Sequence, residues 1–359
     1  MDIVRAIEDN AAELLMAMGA AGGGSQRADD RAEWTIGGSP IDYHNAVVRA
    51  SDVAVVAESL AELKKHGVPG TWHAGPSMPV DRSELRAALT AAGFVSGGSE
   101  PGMAVRIADL RAPRAVPGLT ITRVGDDDAL AVWEATLGQG FGEGEREARW
   151  VASVYRKLGY GDPWRHYVGW LDGTPVATAT VFLGAGVAGV YFVMTVPEAR
   201  RRGIGAAITY GALRATAPNT GNDAYSGAAS DARSGAANDA HSGAGSDTHS
   251  GPGSDAQPGA GSDADAQSDT QPGAGSDTHT GPGSDTHSGP GPDTRSHAQS
   301  DADAQSDTRS GADVRSGSGA GNGAAVEYAV LGSSPAGRSV YEGLGFREYC
   351  TIELYEWAG

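Results

Sequence analysis

Arg200-Arg201-Arg202-Gly203-Ile204-Gly205 is the stretch on which the reading of this chain turns. It spells R-x-x-G-x-G. Upstream lies an apolar, β-prone run, Gly189-Val190-Tyr191-Phe192-Val193-Met194-Thr195-Val196, closed by Pro197. Downstream, Ala206 to Arg214 is helix-like. A strand, a basic glycine turn and a helix make an anion site. Glycine lets the backbone come close, and the free N–H groups of a helix start point at a phosphate. The helix dipole and the arginines add positive potential. A site for a phosphate-bearing cofactor follows; the bland alternative is an ordinary strand–turn–helix corner. A dinucleotide fold fits poorly, because this turn does not read G-x-G-x-x-G and no βαβ unit surrounds it. A P-loop is excluded, since no Gly-Lys-Ser or Gly-Lys-Thr follows.

Length alone suggests two or three domains, and composition changes that count. From Pro218 to Gly323 the chain is almost entirely Gly, Ala, Ser, Asp, Thr, Pro, Gln and His. It holds one tyrosine, Tyr225, one valine, Val314, and no Leu, Ile, Phe, Trp or Met. Such a segment buries too little apolar surface to offset its ordering entropy, so disorder is expected. Aspartates recur every eight residues from Asp223 to Asp263 and again from Asp269 to Asp301. A calcium-binding β-roll needs a nine-residue period with an apolar residue in each turn, and both are missing. The histidines His241, His249, His279, His287 and His297 lack a rigid scaffold for a metal. A repeat expansion tolerated in a surface loop is the expectation, because loop-closure cost grows slowly with length.

That segment carries −11 of the chain's formal charge of −18, leaving −7 for the rest. The balance disfavours a nucleic-acid face and mildly favours cationic substrates such as amines. Only Cys350 is present, so no disulfide forms within the chain and a reducing, cytoplasmic setting fits. Glu8, Asp9 and Glu13 interrupt the apolar face of Met1 to Met18, which therefore does not read as a signal peptide. No run reaches membrane-spanning length.

Helical spacing covers Ile3 to Met18, followed by a Gly22-Gly23-Gly24-Ser25 loop. Ala57 to Lys65 reads as a helix, Thr71 to Ala74 as a strand, Ser83 to Ala92 as a helix that Ser83 could cap, and Met103 to Ile107 as a strand. Ala112-Pro113 to Val116-Pro117 is a linker. A second unit starts at Gly118, with a strand at Leu119–Val124 and helices at Asp126–Leu137 and Arg146–Leu158. Strands at Arg165–Leu171, Thr174–Leu183 and Val187–Val196 precede the basic turn and its helix. Beyond the low-complexity segment come a strand at Ala325–Leu331, a helix at Pro335–Leu344 and a strand region at Phe346–Trp357. The order β-α-α-β-β-β-α-(insertion)-β-α-β predicts an α+β fold, a mixed central sheet flanked by helices.

This order, with R-x-x-G-x-G after the fourth strand, resembles the GNAT superfamily of acyl-CoA-dependent N-acetyltransferases. Ser334, Gly337, Tyr341, Gly345 and Phe346 resemble the family's late signature, which usually reads Asn-x-x-Ala-x-x-x-Tyr-x-x-x-Gly-Phe. Leu85, Leu89, Gly93 and Phe94 echo the same segment in the first half, which has no R-x-x-G-x-G. The resemblance thus implies a tandem arrangement. Residues 1–112 are a degenerate GNAT-like or unrelated α/β half without a cofactor site. Residues 118–217 and 324–359 are the two parts of a catalytic domain, and 218–323 is a long disordered insertion.

The resemblance implies transfer of an acetyl group from acetyl-CoA to an amine by direct attack on the thioester. The amine would be a small molecule or a protein amino group. Backbone N–H groups of Arg201, Arg202, Gly203, Ile204, Gly205 and Ala206 would hold the pyrophosphate. The strand edge of Val193, Met194 and Thr195 would bind the pantetheine arm, with an N–H near Thr195 polarising the carbonyl. Tyr341 would protonate the leaving thiolate; the alternative is a packed aromatic beside Phe346. Ser334 stands where the family often has Asn. The general base is a gap, because Ala329 falls where many members carry Glu. Glu327, Tyr191 or a water chain are substitutes, and His166 reads as a sheet histidine. Trp133, Phe141, Trp150 and Trp164 lie in the segment that usually shapes the acceptor pocket. Glu143, Glu145 and Glu147 there read better as a solvated helix start than as a cation site. The second reading is a CoA-binding pseudoenzyme or regulatory module, and a third is an interaction protein acting through its acidic repeat.

Overall fold

The computed structural model describes residues 1–216, 224–226, 326–335 and 337–359. The first half runs α1 (Ile3–Gly22), β1 (Ser25–Ala28), β2 (Ala32–Ile36), β3 (Ala46–Ala50), α2 (Ala54–His66), β4 (Gly70–Ala74), α3 (Arg82–Ala91) and β5 (Val95–Arg106). The second runs β6 (Leu119–Arg123), α4 (Asp127–Leu137), α5 (Glu145–Leu158), β7 (Trp164–Leu171), β8 (Thr174–Gly184), β9 (Val187–Thr195) and α6 (Ile204–Arg214). It ends with β10 (Ala224–Ser226), β11 (Tyr328–Gly332), α7 (Arg338–Gly343) and β12 (Arg347–Trp357).

Local chemistry starts the helices. Aspartates accept from early backbone N–H groups at α1 (Asp2), α3 (Asp81) and α4 (Asp126). The cap of α3 is Asp81, and the expected cap Ser83 instead donates its N–H to it at 2.9 Å. Ile7, Leu14, Leu15 and Met18 form the buried face of α1, and Gly23 at φ 89° ends the helix.

All strands join one sheet of order β1-β2-β3-β4-β12-β5-β11-β9-β8-β7-β6-β10. Its centre has a near two-fold internal pattern. In the first half β3 pairs in parallel with β4, with α2 between them in sequence, and α3 leads on to β5. In the second half β9 pairs in parallel with β11, with α6 between them, and α7 leads on to β12. The last strand of each half is exchanged. β12 lies between β4 and β5, and β5 lies between β12 and β11, all antiparallel. The mixed, helix-flanked sheet and the tandem arrangement expected from the sequence are therefore present.

Successive side chains of β7 face opposite sides of the sheet. His166 meets Trp133 of α4 and Tyr155 of α5, whereas a Cβ at Gly169 would meet Ile208 of α6. Helices α4 and α5 thus cover one face and α6 the other. Leu14, Leu15 and Met18 of α1 join the core of the second half, and α2 and α3 close a separate core with Trp34, Trp72 and Tyr355.

Three features differ from expectation. The hairpin β1–β2 follows the expected glycine loop and was not itself expected, because Ser25–Ala28 is polar and half exposed and carries no apolar run. β5 extends through Gly97, Gly98 and Pro101, which read locally as a turn. Ala224–Ser226, inside the segment expected to be disordered, pairs with the edge strand β6. The remaining residues of 218–323 lie outside the described residues. Gly184 to Gly189 does carry the spacing G-x-G-x-x-G, but it forms the β8–β9 hairpin and leads into no helix.

Candidate functional site

Strands β9 and β11 touch only at their starts, Ala329 opposite Ala188 and Val330 opposite Gly189. A β-bulge then turns β9 away. Thr180 pairs with Tyr191 and Thr178 with Met194, so Phe192 and Val193 together face one residue of β8. Phe192 takes a positive φ of 51°, and its carbonyl accepts from Thr178 Oγ1 at 2.8 Å. A non-glycine residue held there costs about 1–3 kcal/mol, a kind of strain that concentrates at functional sites. Beyond the bulge, the edge of Val193, Met194 and Thr195 on the β11 side has no strand partner. The side chains of all three are buried, so their backbone is what the gap meets.

At the end of that edge, Arg200 Nε donates to the Thr195 carbonyl at 3.1 Å. Arg201 takes φ 62° and Gly203 φ 76°. Arg201, Arg202 and Gly203 are exposed, Ile204 is buried, and Gly205 and Ala206 are half-buried. Among the described residues no side chain caps the start of α6. Uncapped N–H groups at a helix start are donors of the kind that bind phosphate.

Ser334, Gly337 and Tyr341 come together past β11. Ser334 Oγ accepts from the Gly337 N–H at 3.0 Å, and a Cβ at Gly337 would stand 3.3 Å from Ser333 Oγ, Ser334 Oγ and Tyr341 Cε2. Tyr341 is fully buried and meets Phe346 edge-on with ring centroids 5.9 Å apart. That position is the packed aromatic beside Phe346 that the sequence offered as the alternative.

The other substitutes sort differently. Glu327 is exposed and paired with Arg106, away from the gap. His166 is buried on Thr180 Oγ1 at 3.0 Å, and burial pushes its pKa down to about 3, as suits a neutral sheet histidine. Tyr191 OH donates to Asn10 Oδ1 at 2.6 Å, and burial raises its pKa. Trp133 and Trp164 are core residues, while Phe141 lines a cavity described below. Trp150 stacks on His44 with centroids 4.6 Å apart. Glu143 and Glu145 are exposed as expected. Glu147 is not: it is buried, and His44 Nε2 lies 3.0 Å from its Oε1. Here the expected solvated helix start gives way to a contact between the two halves.

The cavity beside the gap lies between α1, Tyr191 and Phe192 of β9, Leu331 and Gly332 of β11, and the first-half residues Tyr43, His44, His73 and Glu100. Glu100 is the residue that sequence reasoning missed. It stands on β5 just past the last residue pair with β11, Gly332 opposite Gly102. A Cβ at Gly332 would stand 2.8 Å from its Oε2. Tyr43 OH donates to that oxygen at 3.2 Å. Burial lifts the Glu100 carboxyl to about 7, and the Tyr43 hydrogen bond opposes this only in part. His73 Nε2 lies 3.2 Å from the Tyr43 carbonyl, and burial lowers its pKa to about 4.

Residues 108–223 match the family model described as an acetyltransferase (GNAT) domain. No curated protein matches the chain in sequence. Among solved structures, a GCN5-related N-acetyltransferase from Kribbella flavida is 15% identical, with a TM-score of 0.51, covering 97% of this chain and 96% of that one. A functionally unknown protein from Staphylococcus epidermidis is 8% identical, also at 0.51, covering 94% of each. At such identities the likeness carries the fold. Residues 108–223, which hold the basic turn and the helix that follows it, thus match a GNAT acetyltransferase domain, and the chain as a whole is similar in fold to a GCN5-related N-acetyltransferase.

Proposed function

We propose that this protein transfers an acetyl group from acetyl-CoA to an amine by direct attack on the thioester. The match of residues 108–223 to a GNAT acetyltransferase domain supports acyl transfer in general; the donor and the acceptor class are our reading. One observation carries it: among the described residues the α6 start is uncapped, is preceded by Arg201 and Gly203 at positive φ, and follows in sequence on the edge of β9 that lies beyond its pairing with β11. The N–H groups of Arg201, Arg202, Gly203, Ile204, Gly205 and Ala206 would hold the pyrophosphate. Val193, Met194 and Thr195 would offer their backbone edge to the pantetheine arm, and Ser334 would line its far side. The bound cofactor would supply an activated acyl carbon. Tyr341 would hold the proton that the departing sulfur needs. The first half lacks such a cradle: Asp52 Oδ1 accepts from Ala54 N at 2.9 Å at the start of α2, which fills that helix start with a carboxylate. This supports a first half without a cofactor site. The single cysteine suits a reducing compartment such as the cytoplasm.

The test pairs calorimetric titration of acetyl-CoA with thiol release across a panel of amines. Saturable binding and amine-dependent thiol release are expected. Binding without release on any amine would make the protein a CoA-binding module, and no binding at millimolar cofactor would overturn the reading. Gly203→Val should weaken acetyl-CoA binding about tenfold, since a β-branched residue at φ 76° costs about 1–3 kcal/mol and shifts the turn. Circular dichroism should show the fold retained. Tyr341→Phe should lower kcat by about 10²-fold or more with acetyl-CoA binding unchanged, if the hydroxyl is the acid.

A further inference from the structure

We propose that Glu100, carried on β5 from the first half, is the catalytic base, and that the acceptor is a small amine with an apolar body, its ammonium seated against Glu100. This deepens the acetyl-transfer reading and rests on it. The base missing from β11 is then supplied by the strand next to it.

Four observations carry the assignment. Glu100 sits beside Gly332, immediately before Ser333 and Ser334, so it and Tyr341 flank the same end of β11. Its Oε2 accepts from Tyr43, its Oε1 makes no hydrogen bond among the described residues, and the side chain lines the cavity although the residue is only 7% exposed. The cavity wall is otherwise largely apolar, with Ile7, Ala11, Leu15, Val190, Val330 and Ile352. Finally, no lysine or arginine lines it. A buried carboxylate without a basic partner favours a cationic ligand, and the apolar wall favours a hydrocarbon body.

The titratable groups facing Glu100 come from every surrounding element. Tyr43 and His44 come from the β2–β3 connection, His73 from β4, Tyr191 from β9 and Glu8 from α1. His73 is held low by burial, Tyr43 and Tyr191 are held high, and Glu8 accepts the Ser77 N–H at 3.0 Å. Burial lifts the Glu100 carboxyl among them to about 7.

The proton balance is simple. The Glu100 carboxylate takes one proton from the ammonium, and the freed lone pair forms the C–N bond as the C–S bond breaks. The nitrogen's second proton passes to solvent, and Tyr341 gives its proton to the departing sulfur and regains one from solvent. The proton on Glu100 returns to solvent.

The test uses n-hexylamine and putrescine on the full chain and on Glu100→Gln. Without cofactor, hexylamine should bind about tenfold more tightly at pH 8 than at pH 6 by calorimetry, following ionisation of a group near 7. In Glu100→Gln, binding should be weaker and independent of pH. In turnover, Glu100→Gln should lose about 10²–10⁴-fold in kcat with acetyl-CoA binding unchanged. Tyr43→Phe removes a donor to the carboxylate, so the rising limb of its pH profile should move to higher pH. Wild-type turnover with Glu100→Gln equally active and the same pH profile overturns the base and leaves acetyl transfer standing. A preference for putrescine over hexylamine overturns the acceptor class. Wild-type protein that releases no thiol with any amine overturns acetyl transfer, and the base with it.

Discussion

Glu147→Ala should destabilise the protein by about 3–5 kcal/mol in urea unfolding, the cost typical of breaking a buried pair. Glu147 and His44 have side chains only 1% and 2% exposed, and their Oε1 and Nε2 atoms lie 3.0 Å apart. The second oxygen of Glu147 accepts from the Glu143 N–H at 3.1 Å. Removing the carboxylate strips His44 of its partner where water does not reach, and leaves a cavity as well. His44 Nδ1 already has no partner, so the ring then has no hydrogen bond on either nitrogen. Replacing both residues with apolar ones, His44→Phe with Glu147→Leu, should recover most of the loss, because desolvation is then no longer resisted. A double variant as unstable as Glu147→Ala would mean the site depends on shape rather than on the hydrogen-bonded pair.

The pair matters because of where it sits. His44 belongs to the β2–β3 connection of the first half and Glu147 to α5 of the second. Around it, Trp150 Nε1 donates to the Gly38 carbonyl at 2.7 Å and Arg146 to the Pro40 carbonyl at 2.8 Å. These contacts pin the loop bearing Tyr43 against α5. Tyr43 in turn holds Glu100. Glu147→Ala is therefore expected to loosen the cavity wall as well as the fold.

What the sequence made legible was local. The R-x-x-G-x-G turn needs only six consecutive residues to place its glycines and arginines, and Ser334 to Phe346 form a single strand exit and helix. Glu100 was illegible for the opposite reason. Its neighbours Gly97, Gly98, Pro101 and Gly102 spell a turn, yet they lie inside a twelve-residue strand. The strand is dictated by distant partners: Pro101 O accepts from Ser333 N at 2.9 Å, and Gly102 leaves room for Cys350 of β12. No window of sequence contains those partners. Glu147 failed similarly, since an acidic helix start is normally solvated, and only the first half's loop buries it. Exchange of the last strands between halves hides such contacts from any reading that treats the halves separately.

The same strand exchange sets the second large effect: Glu100→Gln should stabilise the protein at alkaline pH and leave it unchanged at acid pH. Below pH 4.5, the ordinary value for a glutamate, the carboxyl is protonated whether the chain is folded or not, and no difference is expected. Between that value and about 7 the unfolded chain releases the proton while the folded protein keeps it. The unfolded state then binds fewer protons, so stability falls as pH rises, by about 1.4 kcal/mol per unit at most. Above pH 7 the loss is complete, at about 3 kcal/mol for a shift of this size. Glutamine keeps an acceptor for Tyr43 but carries no charge to desolvate, so the variant escapes the loss. Urea midpoints for both proteins at pH 4 and pH 8 measure it, and all other titrating groups cancel in the difference. A gap that grows with pH and coincides with lost turnover means that folding stability is given up here to keep a buried carboxylate ready to accept a proton. A gap that does not change with pH would mean the carboxyl is solvated in the native protein, and its place beside Gly332 would then have no electrostatic consequence.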